Sequence, residues 1–83
     1  VMNMPNELNT RSGRVAEEIR AEMARQQITV DALSEKSGIP ISTLRRSVKG
    51  HRPFTINELF VITRLLGISV VEIIQRAEDR LAA

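Results

Sequence analysis

The sequence predicts an all-α fold, and three observations support this prediction. Apolar residues recur every three or four positions, as do Val15, Ile19 and Met23 in SGRVAEEIRAEMARQQ, which is the spacing of a helix with one buried face. Each such segment is bounded by residues that begin or end helices. No segment alternates apolar and polar residues as a half-buried strand does. We therefore predict a compact bundle of five helices.

The first three helices are predicted from their boundary residues. Thr29 is suited to cap the second helix, and Gly38 is suited to end it in a left-handed turn. Pro40 has the backbone angle of a first helical position, and Gly50 provides the next end. The predicted ranges are residues 12–27, 30–37 and 40–49.

Two capping boxes predict where the last two helices begin. In FTINEL, Thr55 is the predicted N-cap and Glu58 its reciprocal partner. In ISVVEI, which follows a helix-ending glycine, Ser69 and Glu72 repeat the arrangement, and the helix continues towards Leu81. The apolar pairs of the two accompanying hydrophobic staples are Phe54 with Leu59 and Ile68 with Ile73.

Length and composition restrict the class of protein. The 83 residues suffice for one domain with a small core. The chain has no cysteine and one histidine, so we expect neither a disulfide framework nor a metal site. It has no apolar run of about 18 residues and no secretion signal, which favours a cytoplasmic protein without a membrane partner. We expect a flexible arm at residues 1–9 and one domain at residues 10–83.

Positive charge is concentrated in one segment. Residues 36–57 contain five of the twelve basic residues and no acidic residue, which leaves seven basic against ten acidic residues elsewhere. The segment therefore carries +5 and the remainder −3. Such a run is often a solvated face, but a single-sign segment on an otherwise acidic chain favours a polyanionic partner. Nucleic acid is the first candidate.

Helix 3 separates apolar from cationic side chains. On a helical wheel, Ile41, Leu44 and Val48 share the side that faces the core. The opposite side carries one hydroxyl and three cations: Ser42, Arg45, Arg46 and Lys49. A helix that is apolar behind and cationic in front suits the major groove of B-DNA, where guanidinium groups pair with guanine O6 and N7.

Residues 30–49 have the layout of a helix-turn-helix motif. The small Ser34 lies where the two helices would touch, Gly38 marks the turn and Ile39 fills the corner. Leu33 and Leu44 are the expected buried partners across the two helices. This positional match favours DNA binding over a merely solvated basic helix.

The segment TVDALSEKSGIPISTLRRSVKGHRPFTINELFVITRLLGISVVEII resembles the lambda-repressor/Cro-like (XRE-type) helix-turn-helix family. The resemblance covers about residues 12–77 and rests on ALSEKSG, STL, the glycine that ends helix 3, and ELFVITRLLGISVVEI. It implies that helix 3 enters the major groove of double-stranded DNA while helix 2 lies across the backbone, commonly as a dimer on an inverted-repeat operator. The implied function is sequence-specific transcriptional regulation by a repressor or Cro-like protein of a bacterium or phage.

The resemblance also implies which residues meet DNA. The implied base contacts are Ile41, Ser42, Arg45 and Arg46, and the implied phosphate contacts are Thr43, Lys49, His51 and Arg52. Three positions depart from the family pattern. Val30 stands where a phosphate-bracing glutamine is frequent, and Ile41 stands where a polar base reader is common. Ser47 replaces a usual aliphatic residue, which leaves Val48 to close the core.

Apolar residues beyond the needs of the core predict a homodimer. The wheel for helix 4 places Ile56, Ile62, Thr63 and Leu66 inside with Leu59, and turns two aliphatic residues outward. Helix 5 adds two more next to its buried face. The predicted dimer interface comprises Val61, Leu65, Val71 and Ile74. Packing under the C-terminal tail is the alternative explanation of these residues.

Other functions have weaker support. The sequence has no glycine-rich phosphate loop, Ser/His/Asp arrangement or cofactor motif, so we expect no enzyme, no cofactor and no small-molecule ligand. A protein-interaction module such as an antitoxin stays open and would depend on the apolar surface. RNA binding also stays open, although RNA modules usually stack bases on aromatic residues and this chain has two phenylalanines.

Overall fold

Five α-helices and no strand make up the part of the chain that the computed structural model describes, residues 7–82, with side chains described from residue 10. They are α1 (Glu7–Gln26), α2 (Val30–Ser37), α3 (Ile41–Val48), α4 (Ile56–Leu66) and α5 (Val70–Ala82). The predicted all-α class and the helix order are confirmed. The main difference is that α1 begins at Glu7 rather than Ser12. Residues 1–6 of the predicted arm lie outside the described residues.

Local side-chain bonds begin the last two helices as predicted. The Glu58 amide donates to Thr55 Oγ1 at 3.1 Å and the Thr55 amide donates to Glu58 Oε1 at 2.9 Å, which completes the first capping box. The second box is half formed, since Ser69 Oγ accepts from the Glu72 amide at 3.0 Å. The Glu72 carboxylate instead pairs with Arg76 one turn along α5, at 2.6 Å.

The core draws one almost fully buried aliphatic side chain from each helix. These are Ile19, Leu33, Leu44, Ile62 and Ile73, each at most 1% exposed. Helix α1 packs against α3, α4 and α5, and α2 packs against α3 and α4. Helix α3 is therefore covered by α1 and α2 on one side, and its opposite face is left to solvent.

The wheel prediction for α4 is wrong at one position and needs revision at another. Ile56, predicted inside, is 67% exposed because it is the first residue of α4 and the buried part of the helix starts one turn later, at Leu59. Leu65, predicted outward, packs partly against the core. The outward apolar surface of α4 therefore differs from the predicted one, which bears on the dimer interface below.

Ion pairs between helices join the flanks of α1 and α5. The buried carboxylate of Glu18 accepts a hydrogen bond from Arg80, which also lies 3.7 Å from Glu17. Arg76 donates to Glu22 at 3.0 Å. A buried carboxylate is costly without a partner. The two arginines therefore neutralise these carboxylates and also hold α5 against α1.

We expect Leu44→Ala to lower the free energy of unfolding by about 2–5 kcal/mol, because it leaves a cavity where α3 meets the core. Leu44 is 1% exposed. Urea unfolding of the variant measures this loss, and Arg46→Ala on the exposed face of the same helix is the matched control, with a change within about 0.5 kcal/mol. Equal stability of the parent and Leu44→Ala would show that Leu44 does not attach α3 to the core.

The lowered pKa of Glu22 accounts for part of the acid sensitivity that we expect of the fold. Hydrogen bonds from Gln26, then Arg25 and Arg76, lower the pKa of Glu22 from 4.5 to about 2. Because the folded pKa lies below the unfolded one, the carboxylate stabilises the fold above pH 4.5, and this contribution is lost as the pH falls towards 2.

We expect Glu22→Gln to be less stable than the parent at neutral pH and to lose less stability on acidification. The measurement is the urea midpoint as a function of pH for the two proteins. The profile should flatten only in part, since the pKa of Glu58 is also lowered, chiefly by its hydrogen bond from Arg52. Parallel profiles through the acid range would contradict the assignment.

Candidate nucleic-acid interface

Hydrogen bonds across the turn fix α3 relative to α2. Gly38 ends α2 with a φ of 80°, a left-handed conformation that glycine adopts without strain. Ser34 Oγ donates to the Ile39 carbonyl at 2.6 Å, and the Ile39 amide donates to Ser37 Oγ at 3.1 Å. The small serines thus satisfy the backbone of the turn where the two helices approach each other. The relative direction of α2 and α3 is set locally.

Helix α3 has a buried back and an exposed front. Leu44, Ser47 and Val48 are buried, with at most 6% of each exposed. The front exposes the hydroxyl and the three cations expected there: Ser42, Arg45, Arg46 and Lys49. Ile41 and Thr43 are half-buried at the edges of this front. The predicted separation of apolar and cationic faces is confirmed.

Two of the exposed cations have no charged partner within residues 10–82. Arg46 and Lys49 form no ion pair there, so both are available to an external anion. Arg45 Nη2 lies 3.4 Å from Asp31 Oδ1 at the start of α2. Both of these side chains are more than half exposed, so this pair adds little stability and yields readily to a stronger partner.

The chain that follows α3 returns sharply to the core. Gly50 has a φ of 86°, and a Cβ on it would touch the Ala16 side chain of α1 at 3.8 Å. The His51 amide donates to the Arg46 carbonyl at 2.9 Å and closes the last turn of the helix. The His51 side chain is exposed, two residues after Lys49.

Arg52 differs from the other predicted phosphate contacts. Its Nη1 donates to Ser47 Oγ at 2.8 Å and to Glu58 Oε1 at 2.9 Å, and its Nη2 donates to Glu58 Oε2 at 3.2 Å. The Arg52 side chain is 27% exposed and that of Glu58 is 19% exposed. The guanidinium is thus turned towards the protein, whereas the cations of the front of α3 face solvent.

Sequence reasoning missed two contributors to this region. Arg20 of α1 donates to the Val48 carbonyl at the end of α3. No sequence pattern identifies this contact, because the two residues are 28 positions apart. Ser47 is the other, and the sequence contains a signal for it: a hydroxyl on a buried helix face requires a hydrogen-bond partner, and Arg52 follows five residues later, beyond the end of α3.

The described residues contain neither a metal-binding cluster nor a membrane-spanning helix. No group of three or more His, Cys, Asp or Glu side chains in this part of the chain is placed to hold a metal ion. None of the five described helices is both long and apolar enough to cross a membrane.

The family model described as helix-turn-helix matches residues 19–73, which include α2, α3 and α4 in full. The match covers well over half of the chain, so the chain belongs to this family. The predicted XRE-type resemblance is thereby confirmed. Membership makes the protein a DNA-binding regulator of transcription by class.

Two solved structures share the fold. One crystal structure of the clp gene regulator ClgR from Corynebacterium glutamicum superposes with a TM-score of 0.81 at 21% identity, over 87% of this chain and 77% of that one. A second structure of ClgR from the same organism gives a TM-score of 0.76 at 20% identity, over 83% of this chain and 88% of that one. None of the curated proteins matches the sequence.

Proposed function

We propose that this protein regulates transcription by inserting α3 in the major groove of a specific double-stranded DNA site. The observation that carries the proposal is the front of α3, where Arg46 and Lys49 face solvent without a charged partner within residues 10–82 while the back of the helix is buried. An α-helix with its side chains is about 10–12 Å across, which fits a groove about 12 Å wide. The front of α3 therefore meets base edges.

The roles of individual residues follow from their position on α3. Arg45 and Arg46 project from the middle of the front and are proposed to pair with base edges, with Ser42 beside them. Ile41, half-buried at the first turn, is proposed to touch a thymine methyl group. The rim residues proposed to contact phosphates are Thr43, Lys49 and His51.

Regulation by site occupancy is the simplest consequence of this binding mode. A small domain that occupies an operator blocks other proteins from it, which is the action of a repressor or Cro-like regulator. We propose this role in the cytoplasm or nucleoid of a bacterium, on a chromosomal or phage operator. The structural likeness to ClgR, named a regulator of clp genes, is in keeping with a bacterial regulator.

We expect Arg46→Ala to cost about 1–3 kcal/mol on the best site, because a bidentate contact with one guanine is lost. The site is first recovered by selection from a random duplex pool, and affinities are then measured on duplexes changed at each base pair in turn. Preference should relax at one base pair.

The control variant is Arg25→Ala, which removes an exposed arginine from the last turn of α1. It should leave the base preference unchanged. If Arg46→Ala lowered the affinity for every duplex equally, Arg46 would not read a base.

The dimer proposal rests on a groove between α4 and α5. Its lining includes Phe60, Val61, Ile68 and Val71, and its cavity volume is about 460 Å³. Phe60 is 57% and Val71 76% exposed, although both are large apolar residues. We propose that a second copy of the chain covers this groove, since an apolar surface of this kind is costly in water.

The predicted interface changes accordingly. Val61 and Val71 line this groove, whereas Ile74 lines a separate cleft between α1 and α5, and Leu65 packs towards the core. Of the four predicted residues only Val61 and Val71 line this groove, and Phe60 is added to the proposed interface. A symmetric pair of α3 helices about one DNA turn apart, roughly 34 Å, would bind an inverted repeat.

We expect Val71→Glu to lower dimer affinity and binding to a full operator, because a charge is buried in the interface. Sedimentation equilibrium and titration of full and half operators measure the two effects. Ala24→Glu adds the same charge at an exposed position of α1 and should change neither. A parent that is monomeric both free and on DNA would rule out the dimer.

The same groove supports a second candidate function, binding of another protein by an antitoxin-type module. Exposed Phe60 and Val71 would then form the binding surface and the cations of α3 would be dispensable. The Arg46→Ala measurement separates the two candidates, since a protein-binding module has no base preference to lose.

A further inference from the structure

We propose that Arg52 positions α3 from inside the protein, through Ser47 and Glu58, and does not contact a DNA phosphate. This inference rests on the proposed function, because the position of α3 matters only if α3 reads DNA. It replaces the family-implied role of Arg52 with one drawn from its own contacts.

The guanidinium of Arg52 connects two helices. Ser47 lies on the back of the last turn of α3 and is 1% exposed, and its hydroxyl lies 2.8 Å from Arg52 Nη1. Glu58 lies in the first turn of α4. Its Oε1 accepts a hydrogen bond from Nη1 and its Oε2 accepts one from Nη2. One planar side chain therefore joins the end of α3 to the start of α4.

Both partners of Arg52 are also held in place by contacts that do not involve Arg52. Glu58 Oε1 also accepts the Thr55 amide in the capping box, so its carboxylate is held by the start of α4. Ser47 is held by the burial of α3. Arginine can make a bidentate pair with the carboxylate because its planar guanidinium matches the two carboxylate oxygens. Lysine cannot, because its ammonium group is a single point charge.

Ser47 and Glu58 use three of the five N–H groups of this guanidinium, and a phosphate that took these donors would have to displace Glu58. Displacement would leave the buried Ser47 hydroxyl without its donor and the largely buried Glu58 carboxylate with the Thr55 amide but no cation, and such groups are costly when they lose a partner. Lys49 offers a phosphate the same charge without this loss, because it is exposed and forms no ion pair within residues 10–82. The internal role of Arg52 is therefore favoured over the phosphate contact.

Helix α3 needs such external ties. Its eight residues are too few for a helix to be stable by itself, and its last carbonyls have no partners within the helix. Arg20 meets one of them, at Val48, from the α1 side. Arg52 holds the same turn from the α4 side, and base reading depends on placement to within about 1 Å.

The test compares binding to the selected operator with binding to a scrambled duplex of the same length, over a range of salt concentrations. Arg52→Lys keeps the charge but cannot bridge both partners. We expect it to lower affinity for the operator about tenfold, or about 1.4 kcal/mol. Affinity for the scrambled duplex and the salt slope should stay unchanged.

Three further variants complete the design. Arg52→Ala removes the bridge together with the charge, and should lower operator affinity without reducing the salt slope as loss of a phosphate contact would. Glu58→Gln retains a cap for Thr55 but not the ion pair, and should likewise lower the ratio of operator to scrambled affinity. Lys49→Ala is the matched control for a phosphate contact. It should weaken both duplexes alike and reduce the salt slope by about one. All measurements are made below the unfolding transition of each variant.

The proposal is overturned if Arg52→Lys keeps full preference for the operator while Arg52→Ala behaves like Lys49→Ala. It is also overturned if Glu58→Gln keeps the preference of the parent. A parent that binds both duplexes equally contradicts the proposed function itself and this inference with it. If the parent prefers the operator but the Arg52 variants behave as expected for a lost phosphate contact, this inference alone is contradicted.

Discussion

The contact between the apolar back of α3 and the rest of the bundle is the constraint on which this structure depends. A helix of eight residues does not maintain its own shape or direction in water. Leu44 and Val48 bind it to the core, and the serines of the turn fix its angle to α2. The front of α3 can be devoted to polar and charged residues only because its back makes these contacts.

Charge is distributed so that the cationic front remains uncompensated. The acidic residues Glu18 and Glu22 of α1 pair with Arg80 and Arg76 of α5, away from α3. Glu58, the acidic residue in the first turn of α4, is occupied by Arg52. The remaining contact, between Asp31 and Arg45, is exposed and weak. A polyanion approaching α3 therefore meets Arg46 and Lys49 without an acidic partner within residues 10–82, whereas Asp31 and Glu35 lie beside Arg45.

The fold followed from local signals, and the site followed only in part. The helix caps at Thr29 and Thr55 and the apolar spacing of α3 involve residues within one or two helical turns of each other. Such short-range patterns can be recognised in the sequence. Exposure of Arg46 and Lys49 was derived from the same wheel.

What the sequence did not reveal depends on packing between distant segments. Arg20 meets α3 across 28 positions, and the cleft that receives Ile74 is formed by α1 and α5 together. The family resemblance implied a phosphate contact for Arg52 and gave no sign of its contacts within the protein. Its side chain turns inward because Ser47 in the last turn of α3 and Glu58 in the first turn of α4 both accept hydrogen bonds from it.

The central claim is that the fold holds α3 so that its cationic front reads the major groove. The most direct measurement is methylation interference with the selected operator, since dimethyl sulfate modifies guanine N7 in the major groove and adenine N3 in the minor groove. The account predicts that N7 methylation blocks binding at guanines in two clusters about one DNA turn apart, roughly 34 Å. Interference from adenine N3 alone, or none at guanine N7, would contradict it.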